Sequence, residues 1–283
     1  MYKVPLSTAF AAALLLAACG GGGKNDDAGH GNQPARTAAV TTVEGSVTLR
    51  TPAPLSPAAK LTVQILNVSQ KPASVLVEKA GEPVSAMPAT FKLDFDPAKI
   101  DQGAFYVVDA AIVDGERRYV SARQYPVITK GAPARVDVQL NPEPTAGEKV
   151  EEEYRLLERA IGGMKRTQGS SEEEKSTTAW DGFFDKSGLR YIREITDLGD
   201  KGRINTFFAY RANGQPMLVF RENVPAMSER ASASSRAAWD EQGNLVVKVH
   251  RDGANAGVLS DADAKALQER ARALYDMVSK RKP

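Results

Sequence analysis

Cysteine is nearly absent: Cys19 is the single one in 283 residues. No disulfide can form within the chain, so each folded part must bury enough apolar surface to stand without a covalent staple. Histidine is almost as scarce. His30 and His250 lie far apart in the chain, and a zinc centre built from the usual His and Cys ligands is excluded. Neither sign of charge dominates, with 37 Lys and Arg against 35 Asp and Glu and a net charge of +2. That balance leaves no electrostatic case for nucleic acid as a partner. Long apolar runs are missing as well. The stretch from about Ala9 to Ala17 is roughly half of the ~20 residues a membrane span needs. No HExxH, P-loop or serine nucleophile-elbow pattern occurs, and the glycine run at 20–23 precedes no helical pattern. No catalytic, cofactor or metal site is therefore expected.

What is present begins with MYKVPLSTAFAAALLLAAC, a short positive region at Lys3, an apolar stretch and small residues before Cys19. This is how a secretory signal reads. Leu16-Ala17-Ala18-Cys19 resembles the bacterial lipobox at every position. The resemblance implies a signal peptide over 1–18, cleavage before Cys19, and fatty acyl chains such as palmitate on that residue. A thiolate is a good nucleophile for accepting lipid. Each buried methylene contributes about 0.8 kcal/mol, so two or three chains anchor far more firmly than one. Gly20 rather than Asp follows the cysteine, which resembles an address at the periplasmic face of the outer membrane. Residues 19–39, rich in Gly and polar residues without apolar periodicity, read as a lipidated flexible tether with His30 solvated in it.

From Val40 the pattern changes to alternation. VEGSVTLR, KLTVQILNV, SVLVEK (74–79), ATFKLDF (89–95), AFYVVDAAIV (104–113), RRYVSARQYPV (117–127) and RVDVQL (135–140) are short, β-branched and separated by Pro, Gly and Asp. Asp114-Gly115 is a tight-hairpin signal. About seven such strands over 40–141 predict an antiparallel β-sandwich.

Three pieces are more specific: Val63-Gln64-Ile65-Leu66 with Val68-Ser69, the stretch Phe91 to Asp101 with Asp96-Pro97, and Tyr125-Pro126-Val127-Ile128-Thr129. With them, residues 40–141 resemble the YbaY/YscW family of small bacterial lipoproteins. The resemblance implies a β-sandwich without enzymatic activity. Its YscW-type members are pilotins, which bind a secretin subunit and guide it to the outer membrane; its YbaY-type members are envelope lipoproteins. Taken singly, Val63, Ile65, Phe91, Phe95 and Tyr125 are spaced as packing positions in strands.

NPEPTAGEK reads as a linker over 142–149, and an α+β domain is expected over 150–283. Val150, Tyr154, Leu157, Ile161 and Met164 fall on one helical face, with Glu151 to Glu153 in the first turn and Lys165 and Arg166 in the last. Thr167 to Thr178, with the acidic run Glu172 to Glu174, reads as a polar connection. Three segments, 183–195, 209–222 and 238–249, each place a glycine between an aromatic-containing stretch and an apolar run, the pattern of strand, turn and strand. They predict an antiparallel meander of about six strands, its core formed by Trp180, Phe183, Phe184, Phe207, Phe208 and Trp239. Ser260 is a candidate N-cap for a last helix burying Ala264, Leu267, Ala271, Leu274 and Val278, ahead of three solvated bases at 280–282. The two helices are expected on one face of the meander.

The whole is a mainly β chain with two helices. It reads as a non-enzymatic envelope lipoprotein that binds or chaperones another envelope component, held to the membrane by lipid on Cys19, with a secretin as the kind of partner the resemblance implies. The alternative is a periplasmic inhibitor, for example of a hydrolase such as lysozyme, or a ligand-binding module. Enzymatic chemistry would need His250 to face a cleft beside a carboxylate.

Overall fold

The computed structural model describes residues 40–84 and 86–281, so the expected signal peptide, Cys19 and the tether lie outside the described residues. Residues 40–142 form eight strands: β1 Thr42–Leu49, β2 Lys60–Asn67, β3 Ser74–Pro83, β4 Ala89–Asp94, β5 Tyr106–Asp114, β6 Arg117–Ser121, β7 Tyr125–Val127 and β8 Arg135–Pro142. Alternation drives them. In β2, Leu61, Val63 and Ile65 are buried while the residues between them face outward in part. The run 117–127, expected as one strand, is two. The Ala110 amide donates to Ser121 Oγ at 2.8 Å, Tyr125 Oη accepts from the Gln139 amide at 2.8 Å, and between them the chain leaves β5 for β8 and returns.

The expected sandwich of two facing layers is instead one hydrogen-bonded path, β3-β2-β5-β6-β8-β1-β4, with β7 on β5. A twisted sheet of this many strands with one apolar face buries that face by curling upon itself, and this one curls into a nearly closed barrel. Val43, Ile65, Leu93, Ile112, Val127 and Leu140 lie fully inside it. Every pairing is antiparallel but one: β1 and β8 run parallel. They approach so closely that a Cβ at Gly45 would overlap the Val136 carbonyl oxygen.

The second sheet is a meander in chain order of eight strands: β9 Lys165–Glu173, β10 Ser176–Asp185, β11 Gly188–Asp197, β12 Arg203–Tyr210, β13 Pro216–Val224, β14 Ala233–Trp239, β15 Leu245–Asp252 and β16 Asn255–Gly257. The glycine turns fall where the repeats place them. Gly214 needs its positive φ of 83° and its bare Cα, because a Cβ there would sit 2.7 Å from the Tyr275 ring. The polar segment 167–178 is not a connection but β9 and the start of β10. Ladder hydrogen bonds are made by backbone, so an edge strand can be almost wholly polar.

Helix α1, Ala146–Ala160, starts inside the expected linker and ends before Lys165 and Arg166, which belong to β9. Its start is a capping box. The Glu148 amide donates to Thr145 Oγ1 at 3.2 Å and the Thr145 amide to Glu148 Oε2 at 3.0 Å. Val150, Tyr154 and Leu157 pack on Tyr191, Leu218 and Ala238. Arg236 fastens the helix, bonding both oxygens of Glu151 at 2.8 and 2.6 Å and lying over the rings of Tyr154 and Phe220. Helix α2, Asp261–Val278, is capped by Ser260 and buries all five expected apolar residues against Ile192, Phe208, Val219 and Ala237. These residues are sequence neighbours of those under α1, so they project from the opposite face. The helices sandwich the sheet instead of sharing one face. Of the expected solvated bases, Arg281 lies over the Trp180 ring at 5.6 Å.

Arg117 of β6 ties the first sheet to α1. It bonds the Glu143 carbonyl at 2.9 Å and both oxygens of Glu148, at 2.8 and 2.5 Å. That guanidinium, with the Thr145 amide, lowers the Glu148 carboxyl from 4.5 to about 2. A carboxylate depressed in the folded state contributes stability that is whole above its unfolded value near 4.5 and lost as pH falls toward 2. The melting temperature of Glu148→Gln should therefore lie below the parent at about pH 6 and meet it near pH 2. Parallel melting curves across that window would show that the pair contributes nothing.

Candidate functional site

The curled sheet does not close. β3 bonds only to β2, and β4 only to β1, so two strand edges face each other across a seam. A pocket of about 530 Å³ lies along it. Its floor is apolar, with Leu61, Val63 and Phe91 brought there by the inward positions of β2 and β4 and Val84 by the end of β3. Its rim is charged, with Glu44, Lys79, Glu82 and Lys92. Next to it Thr42 Oγ1 donates to Asp94 at 2.6 Å, and this bond, more than Lys92 nearby, holds the Asp94 carboxyl below its ordinary range. An edge strand offers unpaired N–H and C=O groups, and an extended peptide can add to such an edge while its alternate side chains enter the pocket beneath.

A second cleft, of about 630 Å³, lies between α2 and the second sheet. The strand registers set five residues side by side across neighbouring strands: Glu194, Thr206, Arg221, Ser235 and His250. All five line the cleft, with Asp263 and Arg270 of α2 on the opposite wall. Glu194, 5% exposed, is ion-paired with Arg270. His250 thus faces a cleft that contains carboxylates, but its Nδ1 lies 3.0 Å from Ser235 Oγ and neither carboxylate bonds to it. The base and orienting acid that proton transfer requires are not brought together. Reading along the sequence singled out His250 alone from this row. Glu194, Arg221 and Arg270 sit in two separate strands and a helix, and for the two strand residues the one local signal is a charge at an inward position.

Of the other residues considered from sequence, the aromatics lie where a core would put them. Trp180, Phe184, Phe208 and Trp239 are buried on the α2 side, while Phe183 and Phe207 pack on the α1 side. Asp96 caps a 3-10 turn through the Ala98 amide. Among the described residues no group of three or more His, Cys, Asp or Glu could hold a metal ion, and no helix is long and apolar enough to cross a membrane.

A family model described as "Type III secretion system lipoprotein chaperone (YscW)" matches residues 38–140. Among solved structures, an alternative pilotin from the type II secretion system of Vibrio cholerae is 32% identical over 36% of this chain and 96% of its own, with a TM-score of 0.34. A 9R-lipoxygenase from Cyanothece is 9% identical over 83% of this chain and 44% of its own, with a TM-score of 0.22, too slight a likeness to carry fold or chemistry. No curated protein matches the chain. Residues 38–140, the part that builds the curled sheet, are thus similar to the YscW lipoprotein chaperones.

Proposed function

We propose that this chain is a pilotin-type envelope lipoprotein, anchored by lipid on Cys19 at the periplasmic face of the outer membrane, that chaperones a secretin subunit. The match of residues 38–140 to the lipoprotein chaperone family carries the reading. The open seam supports it physically. An extended segment of the partner, laid between β3 and β4, would pair both free edges and cover the apolar floor at Leu61 and Phe91. The lipid supplies the address and the seam the grip. No chemistry is required of either, in keeping with a chaperone.

Photo-crosslinking residues placed at Lys79 and Thr90 on the seam, and at Lys149 as a control away from it, test this in the bacterium that makes the protein. The expected result is a crosslink to a secretin subunit from the two seam positions and none from Lys149. With Cys19→Ala the chain should move from the membrane to the soluble periplasmic fraction while keeping its seam crosslink. Equal crosslinking from all three positions would rule out the seam, and membrane retention of the Cys19→Ala chain would rule out the anchor.

A further inference from the structure

The cleft beneath α2 contains an arginine with no counter-charge. Arg221 projects from β13 between Thr206 and Ser235. Among the described residues no carboxylate lies within ion-pair distance of it, and its Nε is sealed from solvent without an acceptor. An unsatisfied buried donor on a charged group is costly. The other charges of the cleft are already engaged. Glu194 pairs with Arg270, and Asp263 accepts from Ser260 Oγ at 2.6 Å at the first turn of α2.

We propose that this cleft binds a small organic monocarboxylate, with Arg221 as its counter-ion. Three observations choose the class. The guanidinium fork matches a carboxylate with two parallel bonds. The lining charges, Arg221 and Arg270 against Glu194 and Asp263, sum to zero, so a ligand with one negative charge meets less repulsion from the two carboxylates than a phosphate dianion would. The walls are mixed: hydroxyls of Thr206, Ser234 and Ser235 stand near the arginine's row, while Phe208, Leu259 and Leu267 offer an apolar surface for a short carbon chain. The volume of about 630 Å³ suits a small molecule. This site belongs to the second sheet and is independent of the seam.

Calorimetric titration of the full chain in detergent micelles, with sodium butyrate and separately with inorganic phosphate, tests the assignment. Butyrate should bind saturably and phosphate more weakly. Arg221→Gln should weaken butyrate at least about tenfold, ~1.4 kcal/mol, and Arg155→Gln on the exposed face of α1 should leave it unchanged. Ala266→Trp, an exposed position on α2 at the cleft wall, fills the space while leaving the arginine in place and should abolish binding in a chain whose circular dichroism is unaltered. Absence of saturable binding by the parent chain, phosphate binding as tight as butyrate, or undiminished affinity in either Arg221→Gln or Ala266→Trp would each overturn the proposal.

Discussion

Gly45→Val is expected to unfold the first sheet. Every Cβ at this position overlaps the Val136 carbonyl oxygen, and no rotamer escapes because the clash involves the Cβ itself. Relief requires β1 and β8 to separate, and they form the one parallel pair that links the β6 side of the path to the β4 edge. Val43 and Val47, fully buried on either side, would be drawn out of the core with β1. Overpacking of an ordinary core position costs about 1–3 kcal/mol; here backbone must move, and a loss above about 3 kcal/mol is expected. The tryptophans provide an internal control, because Trp180 and Trp239 both belong to the second sheet. Urea titration followed by circular dichroism should show the early loss of one part of the β signal, and tryptophan fluorescence reports whether the second sheet follows it. A Gly45→Val chain with the parent's transition would contradict the close pairing of β1 with β8.

Leu274→Ala should produce the other large effect. Leu274 is 1% exposed at the middle of the α2 stripe, in the cluster that holds Trp180, Phe208 and Trp239. Truncation removes its contacts and leaves a cavity that a sheet on one side and a helix on the other cannot both collapse into. The expected loss is about 3 kcal/mol, read as a lower urea midpoint by tryptophan fluorescence. Leu274→Met, which conserves volume, should cost less than ~1.5 kcal/mol. A loss below ~1 kcal/mol for the alanine variant would mean that α2 is not seated on the sheet as described.

The strands and helices were legible because their periodicities are local. KLTVQILNV alternates, and Ala264, Leu267, Ala271, Leu274 and Val278 repeat at three and four; both patterns report burial on one face, and the structure buries those residues. The misread parts share a different cause. β9 is polar because an edge strand can be held by backbone hydrogen bonds alone, so it carries no apolar period to read. The start of α1 was visible in principle, since Thr145 and Glu148 spell a capping box, but the prolines and Gly147 around them look like a linker. The break between β6 and β7 comes from β8, a strand that follows them in the chain and accepts the Ala122 amide at the Gln139 carbonyl between the two.

Residue order by itself determined a mainly β chain with two amphipathic helices, turns at Gly115, Gly188, Gly214 and Gly243, and, through strand motifs spread over 40–141, kinship with lipoprotein chaperones. Tertiary structure alone decided that the first strands curl as one sheet and leave a seam, that the helices take opposite faces of the meander, and that Arg221 stands unpaired in a row with Glu194 and His250. The physical reason is range. Periodicity records whether each residue faces a core, whereas register between strands distant in the chain decides which residues share that core and which charges find no partner.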